Sequence, residues 1–126
     1  MVLNVQANAL KDGVTVLPSG LQYRVLKSGA ADAPSPTKST PCSVHYRGTT
    51  ITGEEFDSSY KRGQPTKFAP NQVIKGWTEA MQLMKEGDKW ELVIPSELAY
   101  GKQTLNSLIV ANSVLVFEME ILKVGA

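Results

Sequence analysis

The chain has 126 residues and a mass of 13.7 kDa, enough for one ordinary domain with a real core and too little for two. Apolar residues make up 42% and charged residues 20%, a globular balance, and no apolar run approaches the roughly 20 residues that cross a bilayer, so no membrane insertion is expected. Thirteen basic against twelve acidic residues give a net charge of +1 with neither sign massed in a block, which argues against nucleic acid as a partner, and the single cysteine and single histidine exclude an internal disulfide and a zinc-type cluster.

Asn4 to Lys11, "NVQANALK", has weak helical character and meets a stop signal at Asp12-Gly13. Met1 to Leu10 lacks the basic start and apolar core of a signal peptide, so the expected compartment is the cytoplasm, with a secreted or periplasmic setting as the alternative if a signal has been removed. Residues 1–19 are read as an N-terminal extension and 20–126 as the domain. A Pro-Ser-Gly turn precedes Leu21 to Leu26, which alternates as a strand does. Ser28 to Pro41 is proline-rich and reads as an exposed loop.

Ser43 to Ile51 alternates again, and the turn at Thr52-Gly53 leads back into a second strand carrying Phe56 and Asp57. From Gln72 to Glu86 the apolar residues Val73, Trp77, Ala80, Met81 and Met84 recur at helical spacing, with Gly87 at the terminating position. Trp90, Leu92 and Ile94 then mark a strand ended by Pro95, and Leu115, Phe117, Met119 and Ile121 mark a long half-buried one. Several strands and one central helix make an α+β domain.

Covalent chemistry finds few residues to carry it. Cys42 and His45 lie three apart on an extended strand and point to opposite faces, so a nucleophilic dyad is rejected in favour of a small buried thiol and an edge imidazole. The pair Glu54-Glu55 sits beside a turn glycine and reads as surface charge. Nothing matches a phosphate loop or a dinucleotide fingerprint, and no cofactor or metal is implied. The aromatic residues stand out: Tyr46, Phe56, Trp77, Tyr100 and Phe117 come from separate segments. Taken singly each would fill a core, as most aromatic residues do.

Their motifs point further. "VHYRG", "FDSS", "VIKGW", "ELAYG" and "VLVFEMEIL" occur in the order and at nearly the spacings of the FKBP family of macrolide-binding immunophilins, which the chain resembles from Gly20 to Val124. "LPSGLQYRVLKSG" and "WELVIPSELAYG" are most similar to the branch that includes the macrophage infectivity potentiators, in which a helix often precedes the domain; Asn4 to Leu10 would be its stub, and a monomer is expected.

The resemblance implies an antiparallel half-barrel sheet of five to six strands wrapped around a short helix, and a peptidyl-prolyl cis/trans isomerase acting on proline-containing peptides or unfolded proteins. It implies macrolide ligands such as tacrolimus and rapamycin as well. Trp77 would floor the pocket, Tyr46, Phe56, Val73, Ile74 and Phe117 would wall it, and Phe68, Leu108 and Ile109 would rim it, with a backbone N–H offered by Ile74. Tyr46, Asp57 and Tyr100 take the catalytic places, Tyr100 holding the substrate carbonyl and Asp57 setting the local field, paired with Arg62 as in relatives.

Two departures stand against the pattern. The segment Gly101 to Ser113 has Leu108-Ile109-Val110-Ala111 where relatives carry glycines and an Ile-Pro-Pro run, and Thr66 stands where some relatives place an aromatic. The altered loop favours the alternative of a binding or chaperone module of the same fold with weak or no turnover.

Overall fold

A computed structural model describes residues 13–101, 109 and 113–125. Its strands are β1 (Val14–Val16), β2 (Gln22–Lys27), β3 (Cys42–Thr50), β4 (Glu55–Ser58), β5 (Thr66–Phe68), β6 (Lys89–Ile94) and β7 (Leu115–Val124), with helices α1 (Ser59–Arg62) and α2 (Lys75–Leu83). All pairings are antiparallel, and the order is β1-β2-β6-β7-β3-β4 with β5 also beside β3. This is the expected half-barrel with a short helix, built among the described residues from seven strands rather than five to six because β1 and β5, three residues each, add short pairings at its edges. Strand β1 lies in the segment read as the extension, so the sheet reaches back at least to Val14.

Alternation decides which face is which. Across the centre of the sheet Trp90, Met119 and Tyr46 stand side by side, then Leu92, Phe117 and Gly48, so β6, β7 and β3 send one apolar row after another to the concave face. The opposite face carries the rows Arg24, Glu91, Glu118, Arg47 and Lys89, Glu120, His45. Helix α2 closes the concave side with Trp77, Ala80 and Met81, all buried. Gly76 lets it lie close: a Cβ there would come within 2.7 Å of Ile94 Cγ2.

The helix is shorter than Gln72 to Glu86 at both ends. Pro70–Gln72 forms a separate 3-10 turn, and Val73 is extended (φ −131°, ψ 175°), so the helix starts only at Lys75. Met84, although it keeps the helical apolar spacing and is fully buried, is extended as well (φ −80°, ψ 158°). Gly87, with φ of +90°, therefore serves the following turn rather than the helix end. That turn is anchored by Asp88, whose buried carboxylate accepts the N–H of Lys85 (3.0 Å) and of Gly29 (2.6 Å) and so ties down the start of the proline-rich loop. The loop itself contains no helix or strand, as expected.

Cys42 and His45 separate as expected. The thiol is buried and its Sγ–H points at Thr40 O (3.5 Å), and burial pushes its pKa up. The imidazole stacks on Tyr60 outside the sheet, ring centroids 4.5 Å apart. Burial of the Tyr60 hydroxyl, with Glu120 beside it and Glu118 nearby, raises it to about 12. A raised tyrosine pKa favours the neutral form in the fold, so this contribution to stability is complete below the ordinary value of about 10 and is lost as pH climbs toward the folded value. Thermal unfolding followed across that alkaline range is expected to show a falling midpoint in the wild type and a shallower fall in Tyr60→Phe; equal slopes would remove Tyr60 as the cause.

Candidate active site

The concave face does not fill completely. A cavity of about 480 Å³ opens between α2 and the sheet, lined by Tyr46, Phe56, Asp57, Phe68, Gln72, Val73, Ile74, Trp77, Tyr100 and Phe117. Each wall follows from a local rule. Tyr46 and Phe117 are inward residues of β3 and β7, Phe56 and Asp57 come from β4, Phe68 ends β5, and Val73, Ile74 and Trp77 lead into and along α2. Tyr100 follows the 3-10 turn Ser96–Leu98.

Trp77 is the hub of the aromatic walls. Its ring meets Tyr46 (4.9 Å), Phe117 (5.0 Å) and Phe68 (5.5 Å) edge to face, the arrangement that ring quadrupoles favour. Phe56 stands perpendicular to Phe117 at 5.5 Å. Gly48 makes that corner possible, since a Cβ there would lie 2.6 Å from Phe56 Cζ and 2.7 Å from Phe117 Cε1. The buried Trp77 Nε1–H meets no acceptor among the described residues.

One wall is polar. The Tyr46 hydroxyl donates to Asp57 Oδ2 (2.6 Å) and accepts from the Arg62 guanidinium (2.9 Å), which also binds Asp57 Oδ1 (2.5 Å), so three side chains close a ring of hydrogen bonds. Arg62 further reaches Thr66 Oγ1 (3.3 Å), which gives the residue standing in place of an aromatic a role in holding the guanidinium. Partial burial would raise the Asp57 pKa, but the Tyr46 hydroxyl and Arg62 outweigh it and hold the carboxyl below its usual range. Burial, and then donation to Asp57, raise Tyr46 in turn, against the opposing pull of Arg62. At neutral pH the wall is therefore a charged pair bridged by a neutral phenol.

Eight of the residues singled out in the sequence line the cavity together: Tyr46, Phe56, Asp57, Val73, Ile74, Trp77, Tyr100 and Phe117. Phe68, expected at the rim, lines it as well and meets the Trp77 ring. The Ile74 N–H has no backbone acceptor among the described residues, since Ile74 enters α2 as its first flanking residue. Ile109 is buried and belongs to the same apolar cluster as Tyr46, Trp77 and Phe117, and it is not among the described lining residues. Leu108, the Asn4 to Leu10 helix and most of the Gly101 to Ser113 segment lie outside the described residues.

Gln72 is a lining residue that the motifs do not single out. Its Oε1 accepts the Ala69 N–H (2.9 Å), which folds the side chain back over its own turn. Adjacency to Val73 and Ile74 is the only signal the sequence offers for it. Among the described residues no group of three or more His, Cys, Asp or Glu is placed to hold a metal, and no helix is long and apolar enough to cross a membrane.

The profile of the FKBP-type peptidyl-prolyl cis-trans isomerase family matches residues 33–122. The "Outer membrane protein MIP" of Legionella longbeachae is 44% identical over 120 residues, covering 95% of this chain and 51% of that protein. The crystal structure of FkpA from Escherichia coli superposes with a TM-score of 0.90 at 44% identity, over 96% of this chain and 55% of that one. A peptidyl-prolyl cis-trans isomerase from Pseudomonas syringae superposes with a TM-score of 0.88 at 38% identity, over 97% of this chain and 88% of that one. The chain thus spans about half the length of the curated relatives it matches.

Proposed function

The chain belongs to the FKBP-type peptidyl-prolyl cis-trans isomerase family, and on that premise we propose that it catalyses rotation about X-Pro bonds in peptides and unfolded proteins, without covalent chemistry. The observation that carries this proposal is an aromatic cavity of about 480 Å³ with Tyr46 and Asp57 in its wall, hydrogen-bonded to each other and both to Arg62.

The reaction makes modest demands. An X-Pro amide crosses a barrier of about 18–20 kcal/mol because twisting destroys its resonance. A planar amide is more charge-separated than a twisted one, so moving its carbonyl from water into a pocket of rings disfavours the starting state relative to the transition state. The walls of Trp77, Phe56 and Phe117 supply that setting and fit a pyrrolidine ring by shape. Tyr100 offers a hydroxyl to the carbonyl that turns, and the Ile74 N–H offers a second donor that fixes the peptide. The carboxylate of Asp57, aligned by Arg62 and the Tyr46 hydroxyl, sets the field along the rotating bond. No proton needs to move.

Macrolide binding in the same cavity and a monomeric state belong to this proposal. As to compartment, the name of the Legionella longbeachae relative favours the secreted or periplasmic alternative over the cytoplasmic expectation.

A protease-coupled assay on a proline tetrapeptide tests the activity. Wild-type chain is expected to accelerate the cis-to-trans phase, and Tyr100→Phe to lower kcat/KM about tenfold with an unchanged circular dichroism spectrum, the loss of one hydrogen bond to the reacting carbonyl. A wild-type rate equal to the uncatalysed one would overturn it.

A further inference from the structure

Strand β3 delivers Tyr46 to the cavity, yet among the described residues no strand pairs with its outer edge beside that residue. There β5 pairs with Cys42 to Val44 and β4 with Arg47 to Thr49, so the backbone of His45 and Tyr46 falls between two partners. A side chain fills the gap. Ser59 Oγ accepts the Tyr46 N–H at 2.7 Å, and lies 3.3 Å from the Tyr46 carbonyl oxygen and 2.8 Å from His45 Nδ1. Ser59 is wholly buried, so water cannot take over the Tyr46 N–H if the hydroxyl is removed.

Ser59 also opens α1, and the last residue of α1 is Arg62. The two segments that meet at the polar wall, β3 through the Tyr46 hydroxyl and α1 through the Arg62 guanidinium, are therefore tied a second time behind it, at the Tyr46 backbone. The Ser58 hydroxyl accepts the Lys61 N–H (3.2 Å) and holds the turn of α1 in shape, which keeps the distance between Ser59 and Arg62 set. We propose that Ser59 is a positioning residue of the isomerase site: by standing in for the missing strand it fixes where the Tyr46 hydroxyl meets Asp57 and Arg62. This rests on the isomerase activity proposed above, and it adds a residue that touches no substrate. The sensitivity is geometric. Bonds of 2.6 and 2.9 Å to the hydroxyl tolerate little drift, and misplacement of a preorganised group by about 1 Å can cost on the order of a hundredfold in rate.

A double-mutant cycle reads the coupling. In the tetrapeptide assay Ser59→Ala is expected to lower kcat/KM roughly tenfold, mostly in kcat, in the wild-type background, and less than about twofold in a Tyr46→Phe background, where no hydroxyl remains to be placed. Ser59→Thr, which keeps the acceptor, is expected to restore most of the loss. Equal losses in both backgrounds, or an undiminished Ser59→Ala, would overturn the proposal. Should Ser59→Ala not fold, Ser59→Cys, of similar size but with a weak sulfur acceptor, gives the same comparison. If wild-type chain showed no turnover the isomerase proposal would fail separately, and exchange of the Tyr46 amide proton would still decide the tie: faster in Ser59→Ala supports it, unchanged overturns it.

Discussion

Replacing Asp57 by alanine is expected to lower kcat/KM by about a hundredfold while leaving the fold intact, in the range seen when one preorganised electrostatic group is taken from a site. The loss has two parts. The carboxylate itself disappears from the cavity wall, and Arg62 and the Tyr46 hydroxyl lose the acceptor that aims them. Stability should hardly change, because the Asp57–Arg62 pair has half-exposed side chains and exposed pairs contribute about 0–1 kcal/mol. The pH dependence has a definite sign. A carboxyl held below its usual value stays ionised through neutral pH, so its contribution is complete above the unfolded value of about 3.9 and fades only as pH falls through the lower folded one. Turnover that is lost together with the circular dichroism signal would mean that Asp57 holds the fold; turnover within twofold of wild type would remove it from the mechanism.

How much of this was legible in the chain differs by residue for physical reasons. The strands β6 and β7 announce themselves because period-two alternation and burial are the same fact seen twice, and the cavity residues could be named because Phe56, Trp77 and Tyr100 sit in ordered motifs. Apolar spacing could not give the limits of α2. Met84 is buried at helical spacing but on extended backbone, so periodicity reports the face a residue serves and not the geometry by which it gets there. Ile109 shows how little residue type says here: an isoleucine suits a rim and a core equally, and it lies buried in the cluster that also holds Tyr46, Trp77 and Phe117. Ser59 could be read as part of a motif but not for its task. That task exists only because β4 and β5 leave a gap along β3, a property of three segments at once.

Trp77 separates the part of the site that binds from the part that folds. Its ring is buried at the floor of the cavity and makes edge contacts with Tyr46, Phe68 and Phe117, so truncation would withdraw the surface on which three other rings rest. Trp77→Ala is expected to reduce stability by about 3–5 kcal/mol, the usual result of removing a large buried aromatic side chain. Set against a total of about 5–15 kcal/mol for a domain, that loss would leave a marginal fold, and turnover measured on this variant would report unfolding as much as catalysis. Trp77→Phe divides the two. The indole N–H has no acceptor among the described residues, so replacing it breaks no hydrogen bond to them and changes only shape and contact area. Urea unfolding followed by far-ultraviolet circular dichroism, which avoids the signal of Trp90, should give a midpoint for Trp77→Phe near that of the wild type and a much lower one for Trp77→Ala, with similar slopes. A loss below about 1 kcal/mol in Trp77→Ala would be that of an ordinary surface change, and would mean that the neighbouring rings close over the floor without it.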